Sequence, residues 1–359
     1  MGIKTLIARR VILAVPVALG VVTLIFVAIS VMTPVMRVAY YVGSNPRDWT
    51  PQQLKIAIHK LGLDQPIVVQ YVNWLRKVAS LDFGRSMAPV GYEGAPVLQM
   101  ILASLPSTLE LILYSVPFII AFSIWLGTKA AINENKQDDY IVRVFVYLGS
   151  SFPVFVVGGF LIMLSLAIQS PYQVHLDPYL QLSYNVNVNL ISRIEHGTFT
   201  QYTGMISIDA LLNGDIWLFL DAMMHLILPV ATLVLTQCAA LVRVTRAGLL
   251  EELGKPYVAA AKAKGLSKKD TVYKHARKNA SISIFTMLGL LMSNMFMSIV
   301  IVEIVFWRPG FGALLVSSAL TMDLPVVLTG VMFVALFFVL INLIVDILYE
   351  YVDPRITLG

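Results

Sequence analysis

Stretches with no Asp, Glu, Lys or Arg recur along this chain at lengths few soluble folds use. Six stand out, at residues 11–36, 111–128, 144–176, 222–242, 279–302 and 324–345, the third interrupted only by His175. A helix of about 20 apolar residues crosses a hydrocarbon core of about 30 Å, so each run is long enough to span a bilayer. A membrane β-barrel would show segments of about ten alternating residues instead. The pattern predicts an all-α integral membrane protein with six transmembrane helices. The first run follows Lys4, Arg9 and Arg10. It exceeds the roughly 7–15 residues of a signal-peptide core and is read as the first span, with a kink expected at Pro16.

Between the spans, residues 37–105 carry helix start and stop signals. Thr50, Pro51 and Gln53 supply an N-cap, a first-turn proline and a capping-box partner, and Gly62 can end that helix. A second helix is expected from Pro66 to about Val78, with Asp64 as its cap. Segment 175–221 is polar and mildly acidic. Segment 309–324 is too apolar for a free loop, and a short helix at the outer surface or dipping into the bundle is expected there. The chain therefore divides into 1–104, the first span with an ordered extracytoplasmic segment, and 105–359, a five-helix core.

Composition narrows the class. Of the 359 residues 58% are hydrophobic and 13% charged, about half the charged fraction of a soluble domain, so lipid must solvate much of the surface and a soluble enzyme is excluded. The net charge of +5 reflects where Lys and Arg sit, not a nucleic-acid partner. Ten basic residues lie between 243 and 278, against only Arg193 and Arg308 in the outer segments after residue 105. Both termini are expected on the cytoplasmic side. The single cysteine, Cys238, allows no intramolecular disulfide or metal cluster and is read as a small packing residue.

The most informative inner stretch is 255–280. Pro256 suits a first helical turn, Ala259–Ala263 favour helix, and Gly265 can adopt the left-handed conformation that ends it. Ser267 and Asp270 then form a capping box for a helix running through Asn279 into the fifth span. A basic loop would satisfy the charge rule without these signals. Their density predicts a helix, sharp turn and helix built to enter another protein's groove.

Catalytic and energising chemistry is missing. No phosphate-binding G-x-x-x-x-G-K-[ST] loop exists, because Gly254-Lys255 lacks both the upstream glycine and the following Ser or Thr. Glu110, Glu303, Asp346 and Glu350 fall near helix ends and read as snorkelling or end-capping groups, and His225 as an interfacial histidine. His59, His175, His196 and His275 form no catalytic or metal-ligand spacing. Asn279-Ala-Ser281 matches a glycosylation pattern but on the cytoplasmic side.

At this point the residues resemble a known family. The 255–280 loop, with Ala260-Ala261, Gly265 and the basic helix after it, is similar to the EAA-type loop of ABC importer permeases. Over nearly the whole chain the sequence resembles the dipeptide/oligopeptide permease family in its first-subunit (DppB/OppB-like) branch. Supporting signatures are Ala8-Arg9-Arg10, Leu61-Gly-Leu-Asp-Gln-Pro66, Asp82-Phe-Gly-Arg-Ser86, Leu105-Pro-Ser-Thr-Leu-Glu110, His225-Leu-Ile-Leu-Pro229, Arg243-Val-Thr-Arg246, Glu303-Ile-Val-Phe306, Pro309-Gly-Phe-Gly312 and Asp353-Pro-Arg355.

The resemblance implies a type I ABC importer fold. It implies as partners a second permease subunit (DppC/OppC-like), two cytosolic ABC ATPase subunits and an extracytoplasmic substrate-binding protein. ATP and Mg would sit on the ATPases, with no cofactor, metal or catalytic residue on this chain. The ATPase-docking residues it implies are Tyr257, Val258, Ala259, Ala260, Ala261, Lys262, Ala263, Lys264, Gly265, Leu266 and Ser267, the coupling helix running over about 257–264. The family's loop glutamate is replaced near Val258 or Ala259. Its Pro-Gly-Asp-Pro after the first span is Thr33-Pro34-Val35-Met36 here, and the 175–221 insertion is long. Peptides are the expected cargo, with oligosaccharides or nickel open. A stand-alone ion-coupled carrier is the alternative from a different class.

Overall fold

The computed structural model describes residues 3–42, 49–87, 94–172, 190, 193–194, 196–267 and 270–352. They form α1 (Ile3–Val31), α2 (Pro34–Val42), α3 (Pro51–Lys60), α4 (Ile67–Ala79), α5 (Val97–Ile132), α6 (Gln137–Ser151) and α7 (Val154–Tyr172). Then follow α8 (Ile206–Leu212), α9 (Ile216–Leu253), α10 (Pro256–Ala263), a π-helical turn at Thr271–Ala276, α11 (Arg277–Val305), α12 (Phe311–Leu320) and α13 (Leu324–Val352).

Among the described residues five helices are long and apolar enough to cross a membrane: α1, α5, α9, α11 and α13. A sixth span requires α6 and α7 together, which meet at a bend of 106°. The run 144–176 had predicted one continuous helix. Pro153 breaks it, because its ring excludes helical geometry at the preceding residue, and Phe152 is extended at φ −95° and ψ 132°. Large apolar side chains point outward, as a lipid-facing surface requires: Phe118 is 58%, Phe160 64% and Met297 69% exposed.

The chain packs as two units. One comprises Met1–Leu105 with Phe311–Leu343, the other Pro106–Gly310 with Ile344–Gly359.

In the first unit α4 lies against α1. The Thr23 and Tyr71 hydroxyls are 2.7 Å apart, and the buried Trp74 indole N–H donates to the Val22 carbonyl at 3.4 Å. The predicted capping box of α3 forms: Thr50 accepts from the Gln53 N–H at 3.3 Å, and the Thr50 N–H donates to Gln53 Oε1 at 2.8 Å. Gly62 takes φ +66° at its end. Asp64 does not cap α4. Pro66 occupies the N-cap position, and the Asp64 carboxylate instead meets His59 Nδ1 at 2.7 Å, which holds its pKa below the ordinary carboxylate value. Segment 309–324 does form a short helix, α12. Its Leu315 presses on Gly330 of α13 so closely that an added Cβ would lie 2.1 Å from Leu315 Cδ2. Asp323, in the turn between α12 and α13, accepts from the Ser86 hydroxyl at 2.5 Å and the Met87 N–H at 3.1 Å. That buried pair gives the Asp82–Ser86 motif a structural role.

In the second unit α9 is the central strut. Its inner face joins α5, α7 and α11 in a core containing Leu111, Ile162, Leu233, Leu241, Ile299 and Phe306. Glycines permit close helix approach, the packing membrane helices rely on. A Cβ at Gly149 of α6 would sit 2.7 Å from the Leu235 carbonyl oxygen, and one at Gly127 of α5 2.6 Å from Thr245 Cβ. Cys238 is buried beside Ala130, Val142, Val146, Ala239 and Val242, the packing role its sequence context suggested. Much of segment 175–221, including His175 and Asp177, lies outside the described residues, as does the Asp353–Arg355 signature.

Candidate functional site

The loop between α9 and α11 is built from local stop and start signals. Gly254 caps α9 with its N–H 3.2 Å from the carbonyls of Leu250 and Glu251, and Pro256 opens α10. At the far end Gly265 adopts φ +84°, and the Leu266 N–H reaches back to the Ala261 carbonyl at 3.3 Å, a Schellman-type ending. Ser267 restarts the helix by accepting from the Asp270 N–H at 3.0 Å. The chain then makes the π-helical turn Thr271–Ala276, which the sequence did not signal, and continues directly into α11.

Two residues of α10 anchor it. Val258 is fully buried, and Tyr257 is half-buried with its hydroxyl donating to Glu252 at 2.7 Å and accepting from Asn279 at 3.1 Å. Lys255 donates to the same carboxylate at 2.5 Å, and that bond raises the lysine pKa. Burial, then the contact with Glu252, pushes the Tyr257 phenol up. Behind the loop, Leu249, Val272, Ala276 and Ala280 pack with Ala131. The remaining predicted docking residues divide by exposure. Ala259, Ala260, Ala263, Lys264, Gly265 and Ser267 are exposed, while Ala261 and Leu266 are half-buried; Lys262 lies on α10, but its side chain is outside the described set. The helix thus presents a face of small side chains, held from below by Tyr257 and Val258.

A second polar site was missed in sequence. Glu110 and Glu303 were read as end-capping or snorkelling groups, yet they are 3% and 0% exposed. Glu110 accepts from the Ser207 N–H at 2.9 Å, the Ser207 hydroxyl at 2.5 Å and Arg308 at 2.8 Å. Glu303 accepts from the Thr108 hydroxyl at 2.5 Å and lies against Gly310, where a Cβ would fall 2.0 Å from its carboxyl carbon. These bonds fasten α5 to α8 and to the turn after α11. Burying a carboxylate demands such partners. The only local hint was Leu105–Glu110 and Glu303–Gly312 as motifs, because the pairing spans nearly two hundred residues. His225 is also more enclosed than expected: its Nδ1 donates to the Asp221 carbonyl at 2.8 Å, with 9% of the side chain exposed.

The described residues contain no group of three or more His, Cys, Asp and Glu able to hold a metal. Apolar spans and a braced loop with an exposed small-residue helix define a membrane-spanning transport component. Comparison with known proteins agrees. The profile described as "Binding-protein-dependent transport system inner membrane component" matches residues 119–358, and that of the corresponding N-terminal region matches residues 3–123. The chain belongs to this family of binding-protein-dependent transport membrane components. It is 36% identical over 352 residues to a di/tripeptide transport system permease protein of Pseudomonas aeruginosa, covering 98% of each chain. It is 32% identical over 360 residues to the dipeptide transport system permease protein of Escherichia coli K12, again covering 98% of each. An oligopeptide transport system permease protein of Bacillus subtilis is 33% identical over 350 residues, at the same coverage.

Proposed function

We propose that this chain forms half of the translocation pathway of an ATP-driven importer of di- and oligopeptides, and that α10 is the element a cytosolic ATPase grips. The observation that carries the docking role is the bracing of α10: Tyr257 ties it to Glu252 at the end of α9 and to Asn279 at the start of α11. A push on the exposed alanines is therefore delivered to two spanning helices. Closure of paired ATPases would move these helices together and alternate the access of the pathway, the rigid-body mode open to packed bundles. The peptide cargo is supported by three permeases of peptide systems at 32–36% identity and 98% coverage. The other subunits are a paralogous permease, two ATPases carrying ATP and Mg, and an extracytoplasmic binding protein. Placing the basic 243–278 segment in the cytoplasm puts both termini there as well. In this reading 1–104 supplies the first spanning helix and an extracytoplasmic segment and 105–359 the five-helix core, although Phe311–Leu343 packs with the first unit.

Ala260→Arg tests the reading, because Ala260 is exposed and the arginine would obstruct a groove without disturbing the fold. Tagged wild-type chain drawn from its native membrane should bring down an ATPase and a second permease and support ATP-dependent uptake of labelled dipeptides. The variant should lose the ATPase and the uptake while still inserting. Solitary wild-type protein that moves solute on an ion gradient would instead establish the carrier alternative.

A further inference from the structure

A cavity of about 260 Å³ lies between α6 and α9, with Val142, Val146 and Val242 at its base and Arg143, Arg243 and Arg246 around it. Its charge is unbalanced. Asp139, fully buried, takes Arg246 in a two-point pair at 2.7 and 2.9 Å and Arg143 at 2.6 Å. The neighbouring Asp138 is engaged with Lys129 at 3.1 Å. Arg243 is exposed and makes no hydrogen bond or ion pair among the described residues, and Arg143 Nε is buried with no acceptor. Three guanidinium groups therefore face one carboxylate.

The surroundings say what kind of anion fits. The outward face of α6 beside the cavity is apolar and open, with Ile141 58%, Val144 56% and Tyr147 65% exposed. Tyr140 and Tyr147 flank Arg143 on α6, and tyrosine beside arginine is the composition of a headgroup interface. A soluble phosphate would use the arginines but leave the valine base and the apolar face unused. We propose that this groove binds an anionic phospholipid, its phosphate on Arg243 with Arg143 and Arg246 and an acyl chain along α6. Basic pockets between membrane helices hold such headgroups. The bound lipid would fasten α6 to α9 about two to three turns before the docking loop.

The test reconstitutes the full chain in nanodiscs of equal phosphatidylglycerol and phosphatidylcholine, releases it into detergent and counts retained lipid by native mass spectrometry. Wild type should retain phosphatidylglycerol over phosphatidylcholine by about fivefold, the worth of one basic residue near a headgroup. Arg243→Lys should keep that preference and Arg243→Gln should lose it. Equal retention of the two lipids by wild type, or equal behaviour of the two variants, would overturn the proposal. So would displacement of the lipid by inorganic phosphate alone, or crosslinking of a Tyr147→Cys variant to another protein chain in the native membrane.

Discussion

The Tyr257 hydroxyl sits 2.7 Å from the Glu252 carboxylate and 3.1 Å from the Asn279 amide, so one phenol joins the end of one spanning helix to the beginning of the next. Tyr257→Phe keeps the ring and removes the junction. Lys255 still satisfies Glu252, so the stability loss should be about 1 kcal/mol. The expected signature is functional: dipeptide uptake per ATP hydrolysed falls several-fold in the reconstituted complex while hydrolysis persists. An unchanged ratio would assign the bracing to Val258 alone.

At Gly265 the backbone, not space, limits substitution: φ is +84° and, among the described residues beyond its chain neighbours, none has an atom within 4 Å of an added Cβ. Gly265→Val should cost about 1–3 kcal/mol locally and reduce uptake about tenfold with insertion intact. Gly265→Asn should retain most uptake, since asparagine adopts the left-handed conformation more readily. Uptake assays on the two variants, side by side, separate strain from lost contact.

Arg308 and Glu110 are nearly enclosed, at 12% and 4% side-chain exposure. Glu110→Ala strands a buried guanidinium and should destabilise the protein by about 3–5 kcal/mol, whereas replacing both residues by methionine should recover much of that loss. Thermal unfolding of the single and double variants in detergent gives the comparison.

Gly310→Ala would place a methyl 2.0 Å from the Glu303 carboxyl carbon. A loss of about 1–3 kcal/mol is expected as the carboxylate is pushed from Thr108. Adding Glu303→Ala should cost less in that background than in wild type, by a coupling of about 0.5–3 kcal/mol. Strict additivity of the two losses would show that the carboxylate moves aside freely.

Asp215 caps α9 by accepting from the Leu218 N–H at 3.0 Å and pairs with Arg193 at 2.6 Å. The Arg193 guanidinium, and then the Leu218 bond, hold its pKa below the usual carboxylate value. A folded pKa depressed in this way stabilises above the unfolded pKa of about 3.9, and the benefit is lost as pH falls through the folded value. Asp215→Asn keeps a capping oxygen but no charge. It should be less stable than wild type at pH 7 by under about 1 kcal/mol, given the partial exposure, with the gap closing at pH 3.

What could be read without coordinates was local. The Thr50–Gln53 box, the positive φ at Gly265 and the restart at Ser267 each depend on residues a few positions apart; the first two formed as read, and Ser267 accepts from the Asp270 N–H ahead of a π-helical turn. The candidate loop was legible for that reason. The burial of Glu110 and Glu303 was not, since their partners Ser207, Arg308 and Thr108 come from distant segments. The 106° bend had its signal in Pro153, but the surrounding apolar run outweighed it. Asp64 shows the reverse error: a residue suited to capping found a better partner in His59.

The 38 residues of α9 carry a consequence of their own. At 1.5 Å per residue the helix is about 57 Å long, nearly twice the roughly 30 Å of hydrocarbon it crosses. Such a rod is a lever: a tilt of about 5° about one end swings the other by about 5 Å. Pro229 sits inside it and leaves the His225 carbonyl without its helical donor. Any movement passed along the rod is thus shaped by how far it flexes at Pro229, about a third of the way along it.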